Sequence, residues 1–141
     1  MNKVISLFAG AGGLDLGFKK AGFDITWANE YDKTIWDTFE HNFPETYLDK
    51  SDIRKIEDLP TDNIDGVIWI SGYTGDSENE FSNIELASKN IKINFLHPVL
   101  IINKLLPKII GNGKGFLAVV CSVAGLRGRA KNIFYGSSKS G

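Results

Sequence analysis

The sequence predicts an α/β fold, because short apolar runs alternate along the chain with segments of helical periodicity. The runs at residues 66–70 and 116–121 are almost wholly apolar, as are strands that lie buried in parallel sheets. The run at residues 4–8 leads into closely spaced glycines and then into an amphipathic pattern. Together these observations indicate parallel strands that are connected by helices.

The first half of the chain is expected to supply three strands and two helices. Residues 4–8 form the first strand, and the apolar spacing after the glycines predicts a helix that stops at Gly22. The second strand is expected at residues 25–28, and Asp32 is expected to cap the helix that follows. A weak third strand is expected around residues 47–48.

The second half begins with the fourth strand, at residues 66–70, and a polar loop follows it. A long amphipathic helix is expected to begin near residue 82 or 83. Pro98 should kink or loosen this helix, because proline removes an internal hydrogen bond. The fifth strand is expected at residues 116–121, and a last helix begins at Ile133.

Strands that alternate with helices in this way predict a Rossmann-like fold. The expected architecture is a three-layer αβα sandwich around a parallel sheet of about five strands, in the order 3-2-1-4-5. A chain of this length suits one core, so residues 1–141 are expected to form a single domain. Ligands of such sheets bind at the carboxyl ends of the strands.

Composition argues against several classes of partner and site. Lys+Arg number 16 against 17 Asp+Glu, which leaves no excess positive charge to neutralise phosphates, so no DNA partner is expected. The single cysteine, Cys121, is expected to be an inert thiol within the buried fifth strand. His41 and His97 have no acidic or thiol partners at metal-ligand spacing, so no metal site is expected.

The sequence also bears on location and assembly. Lysines interrupt the most apolar stretch, residues 84–110, so no membrane span is expected. The N-terminus lacks the pattern of a targeting signal, and a cytoplasmic location, in an expression host if the chain is engineered, is expected. The oligomeric state stays open, because the edge of the fifth strand is free to pair with another copy.

The glycines after the first strand and the acid after the second form the first candidate site. Gly10, Gly12 and Gly13 let the backbone approach a ligand closely, and Glu30 is placed to accept hydrogen bonds from ribose hydroxyls. As a dinucleotide fingerprint the turn is weak, because Asp15 stands where the third glycine would be required. A small adenine-containing ligand is the expected partner.

Residues 8–14, 29–33 and 52–54 resemble, in order and in spacing, the first three motifs of cytosine-C5 DNA methyltransferases. The resemblance covers about residues 1–68 and implies a site for S-adenosylmethionine or S-adenosylhomocysteine. The cofactor-binding residues that it implies are Phe8, Gly10, Gly12, Gly13, Glu30, Tyr31, Asp52 and Ile53.

Each of these residues takes a role from the resemblance. Phe8 and the glycines would line the methionine side, and Glu30 would hold the ribose. Tyr31 and Ile53 would sandwich the adenine, while Asp52 would accept from its amino group. The methyltransferase reaction also needs a Pro-Cys pair after the fourth strand, where this chain has Ser-Gly-Tyr-Thr-Gly at residues 71–75, so DNA methylation is not expected.

A second candidate site lies in the last third of the chain. Carbonyl reduction needs a phenol that gives up its proton, an ammonium that lowers the phenol pKa and a hydroxyl that positions the substrate oxygen. Tyr135, Lys139 and Ser122 provide these groups, and the spacing of four residues puts Tyr135 and Lys139 on one face of a helix.

With Asn94, these three residues resemble the active site of short-chain dehydrogenases/reductases, over about residues 69–141. The resemblance implies NAD(P) as cofactor, and it implies that Asn94 holds a proton-relay water. The glycine loop of that family is replaced here by the methyltransferase-like loop. Asn94, Ser122, Tyr135 and Lys139 are therefore expected to be vestigial rather than active.

The change from one resemblance to the other falls near residues 67–71, within the predicted central strand. Because natural fusions seldom join two domains inside one strand, we interpret the chain as an engineered chimera of two Rossmann-like halves. The leading hypothesis is a non-catalytic scaffold that binds S-adenosylmethionine or S-adenosylhomocysteine. The alternative is a residual NAD(P)-dependent short-chain reductase.

Overall fold

The computed structural model describes residues 2–56, 59–60, 62, 64–75, 77–111, 113 and 115–141. Its described residues include a five-stranded sheet in which every neighbouring pair is parallel. The strand order, β3-β2-β1-β4-β5, confirms the predicted Rossmann-like fold. The strands are β1 (Asn2–Leu7), β2 (Phe23–Asn29), β3 (Tyr47–Asp49), β4 (Gly66–Trp69) and β5 (Phe116–Val119).

Helices occupy the connections between the strands. They are α1 (Gly13–Lys20), α2 (Trp36–Asn42), α3 (Ser77–Glu80), α4 (Ile84–Ile91), α5 (His97–Gly111), α6 (Val123–Leu126) and α7 (Ile133–Ser140). A π-helical segment, Lys92–Leu96, joins α4 to α5. Short 3₁₀ turns lie at Ile53–Lys55 and Ala130–Asn132.

The chain forms two compact units. The first unit contains Met1–Ile70 and Leu105–Val119, and the second contains Ser71–Lys104 and Val120–Gly141. All five strands of the sheet belong to the first unit, whereas the secondary structure of the second unit is helical. A single domain over the whole chain stays a prediction.

Among the described residues, the core of the first unit includes two apolar clusters. Ala28 of β2 belongs to one cluster and Ile25 of the same strand belongs to the other. One cluster comprises Ala9, Ala28, Phe39, Phe43 and Leu48, with Trp36 packed against it. The other comprises Val4, Ile25 and Ile68, with Phe18, Phe23, Ile70 and Phe116 packed against it.

Asp32 does not cap α2, contrary to the prediction. The helix begins at Trp36 after the N-cap residue Ile35. The Asp32 carboxylate instead accepts from the backbone N–H (2.9 Å) and the hydroxyl (2.8 Å) of Thr34. A short acidic side chain can bond its own turn in this way, and that bond competes with helix initiation.

The long helix begins close to where it was expected, after Asn83, whose side chain accepts from the backbone N–H groups of Glu85 (3.0 Å) and Leu86 (3.1 Å). The expected loosening near Pro98 takes the form of the π-helical segment that ends immediately before α5. Pro107 lies inside α5, and the helix continues past it for one further turn.

The helical stretch Ile84–Gly111 has a mean hydropathy of 1.3 over its most apolar window. By length and composition alone, it is the one described helix that would suffice to cross a membrane. This is weak evidence, because the core helix of a soluble protein meets the same criterion. The expectation that no segment spans a membrane stays a prediction.

Candidate functional site

The turn between β1 and α1 has a left-handed backbone at three positions. Phe8 has a φ of 61°, Gly10 of 59° and Gly12 of 82°. A bulky residue rarely adopts such a φ, and residues that do so cluster at functional sites. Tertiary contacts hold Phe8 in place, since its ring lies 4.9 Å from the ring of Trp69 between centroids. The turn is therefore a strained and well supported structure.

The three glycines of the turn have different surroundings. A Cβ on Gly12 would lie 2.3 Å from Cε2 of Phe43, so this glycine lets the N-terminus of α1 pack against the core. A Cβ on Gly10 or Gly13 would meet nothing within 4 Å. Gly12 thus has a structural role, while the other two glycines leave open space around the turn.

Glu30 connects this turn to the end of β2. One carboxylate oxygen accepts from the backbone N–H of Gly10 at 2.9 Å, and the other accepts from the backbone N–H of Asp32 at 2.7 Å. The next residue, Tyr31, has an exposed fraction of 67%. The structure therefore brings the Glu30 carboxylate to the glycine turn, and the ring of the next residue, Tyr31, is exposed to solvent.

Asp52 and Ile53 follow β3. The Asp52 carboxylate accepts from the backbone N–H of Arg54 (3.0 Å) and from its guanidinium Nε (2.9 Å), and Arg54 Nη2 is also bonded to it. These hydrogen bonds from Arg54 lower the pKa of Asp52 to about 2. The Ile53 side chain is buried. Asp52 is thus an ionised acceptor that is engaged by its own neighbour.

Sequence reasoning did not predict that Asn29 and Asp15 of the first unit are buried. Asn29 ends β2, and its amide donates to the carbonyl oxygens of Asp49 (3.1 Å) and Ser51 (2.9 Å), which ties β2 to the segment after β3. Asp15 is fully buried on α1, and its carboxyl oxygens have no hydrogen-bond partner among the described residues. Burial raises the pKa of Asp15, and the neighbouring Ser6 hydroxyl offsets only part of this effect.

The second candidate site lies within the second unit. Ser122 caps α6, and its hydroxyl accepts from the backbone N–H of Ala124 at 3.2 Å. Tyr135 and Lys139 both lie on α7, which packs against α6. The structure packs α6 and α7 together, but it forms no hydrogen bond from the Tyr135 hydroxyl to Ser122 or Lys139 among the described residues.

Lys139 is held by main-chain carbonyl groups. Its Nζ donates to the carbonyl oxygens of Ser71 at 2.7 Å and Val120 at 3.4 Å. Burial lowers the pKa of Lys139, and the thiol of Cys121 acts in the opposite direction. Asn94, which is buried, donates from Nδ2 to the carbonyl oxygen of Tyr73 at 2.7 Å and accepts from the Tyr73 N–H at 2.8 Å.

The expectation that Cys121 is a buried core thiol is wrong. Strand β5 ends at Val119, so Cys121 lies beyond the sheet and is exposed. Its thiol donates to the carbonyl oxygen of Lys139 at 3.0 Å. The apolar run at residues 116–121 is longer than the strand, because β4 supplies partners only as far as Val119.

No group of three or more His, Cys, Asp or Glu side chains that could hold a metal ion occurs among the residues that the structure describes.

Comparison with known protein families supplies a second kind of evidence. Residues 53–141 match the model of the short chain dehydrogenase family, and this match covers more than half of the chain. The chain belongs to the short chain dehydrogenase family. Residues 2–69 of this chain match a different model, that of C-5 cytosine-specific DNA methylases. The chain is therefore a fusion of two family segments, whose matches overlap at residues 53–69.

Curated relatives support the second match. Type II methyltransferase M.NgoPII of Neisseria gonorrhoeae is 66% identical over 68 residues, which are 47% of this chain and 20% of that protein. Type II methyltransferase M.FnuDI of Fusobacterium nucleatum is 60% identical over 68 residues, which are 47% of this chain and 19% of that protein. The chain spans about a fifth of the length of these relatives.

Solved structures similar to this chain confirm the predicted fold. Levodione reductase aligns with a TM-score of 0.78 at 19% identity, over 99% of this chain and 61% of that chain. An oxidoreductase of the short chain dehydrogenase/reductase family from Burkholderia thailandensis aligns with a TM-score of 0.82 at 16% identity, over 99% of this chain and 57% of that chain. At these identities the likeness concerns the fold alone.

Proposed function

We propose that the chain is a non-catalytic fusion scaffold whose first unit binds S-adenosylmethionine or S-adenosylhomocysteine. One observation carries the proposal, which is the hydrogen bond from the Gly10 N–H to the Glu30 carboxylate at 2.9 Å. It sets an acceptor suited to ribose hydroxyls beside a glycine turn at the carboxyl ends of parallel strands, where ligands of such sheets bind.

The residues around the turn fit an adenosyl ligand. The space beside Gly10 is open, and the Tyr31 ring is 67% exposed although it follows a buried strand, which leaves a face for base stacking.

The similarity to methyltransferases supports the same ligand class, since 66% of the residues are identical over the segment that carries the turn, Glu30 and Asp52. The chemistry around β4 supports the absence of methyl transfer. Residues 71–75 include no cysteine, and the chain has a single cysteine, at position 121. We also infer an engineered origin, because the methylase match ends at residue 69, the last residue of strand β4, and the dehydrogenase match continues past it.

Titration calorimetry with S-adenosylhomocysteine and S-adenosylmethionine tests the proposal. We expect saturable heat at or below millimolar ligand. Glu30→Ala should weaken binding about tenfold or more, because hydrogen bonds to a charged group contribute about 1.5–3 kcal/mol. Glu45→Ala is the matched control, since Glu45 is an exposed carboxylate outside the turn.

A second pair of variants tests the stacking partner. Tyr31→Ala should weaken binding by about 1–3 kcal/mol, the usual contribution of base stacking on an aromatic ring. Tyr47→Ala is the control, because Tyr47 is 66% exposed against 67% for Tyr31. Absence of heat with both ligands at millimolar concentration, or unchanged affinity in both Glu30→Ala and Tyr31→Ala, would overturn the proposal.

A second candidate function is residual NAD(P)-dependent carbonyl reduction by the second unit. The observation that favours it is the half-buried Lys139 ammonium, whose pKa burial lowers, on the same helix as Tyr135. We expect any NADPH consumption with a carbonyl substrate to disappear in Tyr135→Phe and to persist in Tyr47→Phe. An equal rate in wild type and Tyr135→Phe would remove this candidate.

A further inference from the structure

Asn90 is the centre of a buried polar network in the second unit. It has no exposed surface. Its Nδ2 donates to Oε1 of Glu80 at 3.1 Å and to the carbonyl oxygen of Thr74 at 3.4 Å. Its Oδ1 accepts from Nδ2 of Asn94 at 2.7 Å and from the hydroxyl of Ser138 at 3.3 Å. A side-chain amide has two donor hydrogens and two acceptor sites, so all of them are used.

The partners of Asn90 come from four different segments, and their burial makes the network rigid. Glu80 ends α3, Asn94 lies in the π-helical segment and Ser138 lies on α7. These three side chains are 3%, 6% and 3% exposed. Hydrogen bonds in such an environment are electrostatically strong, and breaking one leaves a buried polar group without a partner.

The network reaches Lys139 from two sides. On α7, Ser138 is the residue directly before Lys139. On the opposite side, Asn94 is fixed by Asn90, and it binds both the N–H and the carbonyl oxygen of Tyr73. That loop also contains Ser71, whose carbonyl oxygen accepts from Lys139. Asn90 therefore contacts α7, which carries the Lys139 amine, and through Asn94 it also holds the loop whose Ser71 carbonyl oxygen accepts from that amine.

We propose that Asn90 is a positioning residue, which keeps the Lys139 amine at the Ser71 carbonyl and thereby orients the Tyr135–Lys139 face of α7. This inference does not depend on ligand binding by the first unit, because every residue of the network lies in the second unit. Burial of Lys139 provides a readout, since the pKa of an amine rises as the amine returns to water. The titratable side chain that acts on the Lys139 amine is that of Cys121, and it raises the pKa of Lys139.

The test is the pH profile of Lys139 acetylation in the intact chain, measured by competitive labelling with acetic anhydride and peptide mass spectrometry. The exposed Lys104 is the internal reference. In the wild type, the midpoint of Lys139 should lie below 10.5, the ordinary value for a lysine amine. In Asn90→Leu, which removes all four hydrogen bonds, the midpoint of Lys139 should rise toward 10.5. Asn103→Leu, at an exposed helical amide, should leave the Lys139 profile unchanged.

Ser138→Ala is a milder second variant, which removes the contact of the Ser138 hydroxyl with Asn90 at 3.3 Å together with its hydrogen bond to the Tyr135 carbonyl oxygen at 2.7 Å. It should shift the Lys139 profile in the same direction, and Asn90→Leu combined with Ser138→Ala should shift it no further than Asn90→Leu. Ser137→Ala, at the exposed neighbouring hydroxyl, is the control. A wild-type profile in folded Asn90→Leu and in Ser138→Ala would overturn the proposal. If circular dichroism shows that Asn90→Leu is unfolded, the result for Ser138→Ala decides.

Discussion

The Asp15 carboxyl is buried in the first turn of α1, and neither of its oxygens has a hydrogen-bond partner among the described residues. Burial raises the pKa of this group above the ordinary value of 3.8, because the charged form loses its hydration. The folded protein therefore holds a proton on Asp15 more tightly than the unfolded chain does. This difference makes stability depend on pH.

The stabilising effect of this proton is fully present below the unfolded pKa of 3.8, and it is lost as the pH rises through the higher folded pKa. Asp15→Asn removes the charge and nearly preserves the shape, so we expect it to raise the free energy of unfolding at neutral pH by about 1 kcal/mol. Urea unfolding at a series of pH values from about 4 to about 8 measures the effect.

Asp37→Asn is the matched control, because Asp37 is also an acid in the first turn of a helix but is exposed. The free energy of unfolding of Asp37→Asn at neutral pH should not exceed that of the wild type. If Asp15→Asn lowered the free energy of unfolding equally at acidic and at neutral pH, the assignment of a destabilising buried charge to Asp15 would be contradicted.

Cys121 provides a second prediction for a single residue. Because the thiol is exposed after the end of β5, the native protein should react with Ellman's reagent at one thiol per chain without denaturant. The rate should be comparable to that of the unfolded chain, whereas a thiol inside the sheet would react only after unfolding. Absorbance at the release of thionitrobenzoate measures both rates.

Side-chain burial within α1 shows why residue-level detail was harder to predict than helix position. The apolar spacing after the glycines predicted the helix, yet the Leu14 and Leu16 side chains on it are 41% and 46% exposed. Asp15 between them is buried instead. The tight turn through Gly12, which packs against Phe43, sets the rotation of the helix, and periodicity alone carries no information on that contact.

At the scale of elements, α6 and α7 approach each other so closely that two glycines are required between them. A Cβ on Gly125 would lie 2.4 Å from the carbonyl oxygen of Lys139, and one on Gly136 would lie 2.9 Å from that of Ala124. Both contacts are with main-chain atoms, which cannot rotate out of the way. The spacing of the two helices therefore depends on the absence of side chains at these positions.

Gly125→Ala should force α6 and α7 apart and lower the free energy of unfolding by about 1–3 kcal/mol, the usual cost of overpacking. Chemical denaturation, followed by circular dichroism, measures the loss. Gly128→Ala is the control, since a Cβ there would meet nothing within 4 Å. Equal stability of Gly125→Ala and Gly128→Ala would contradict the close approach of the two helices.

The number and order of the strands could be predicted from sequence, whereas several element ends could not. Strand order follows from alternation of strands and helices together with the preference for right-handed crossovers. The start of α2 depends on the hydrogen bonds between the Asp32 carboxylate and Thr34. The end of β5 depends on where its pairing with β4 ends, at Val119. Such local competitions differ by about 1 kcal/mol, less than periodicity resolves.

At the scale of the whole molecule, the two candidate sites belong to different compact units. The glycine turn, Glu30, Tyr31 and Asp52 lie in the first unit, and the Tyr135–Lys139 helix lies in the second. The residues that could bind an adenosyl ligand and those that could reduce a carbonyl were both predicted from motifs. The Asn90 network was not, because amides spaced along one helix look like solvated residues until their partners are known.

Hydrogen exchange can test the assignment of ligand binding to the first unit. With saturating S-adenosylhomocysteine, we expect slower amide exchange at residues 8–13, 29–32 and 52–54, because the ligand restrains the turn and the strand ends. Helix α7 should exchange at the rate of the free protein. Mass spectrometry of peptic fragments resolves these segments, and protection confined to α7 would contradict the assignment.

The pairing of strand β4 with a neighbour on each side bears on how a chain made of two family segments can fold. It pairs with β1 through residues Val4–Gly66 to Leu7–Trp69, and with β5 through Gly66–Phe116 to Trp69–Val119. Both ladders consist of peptide groups, which are the same in every protein. A crossover within this strand would therefore exchange one gene lineage for another without changing the backbone hydrogen bonds that either neighbouring strand needs.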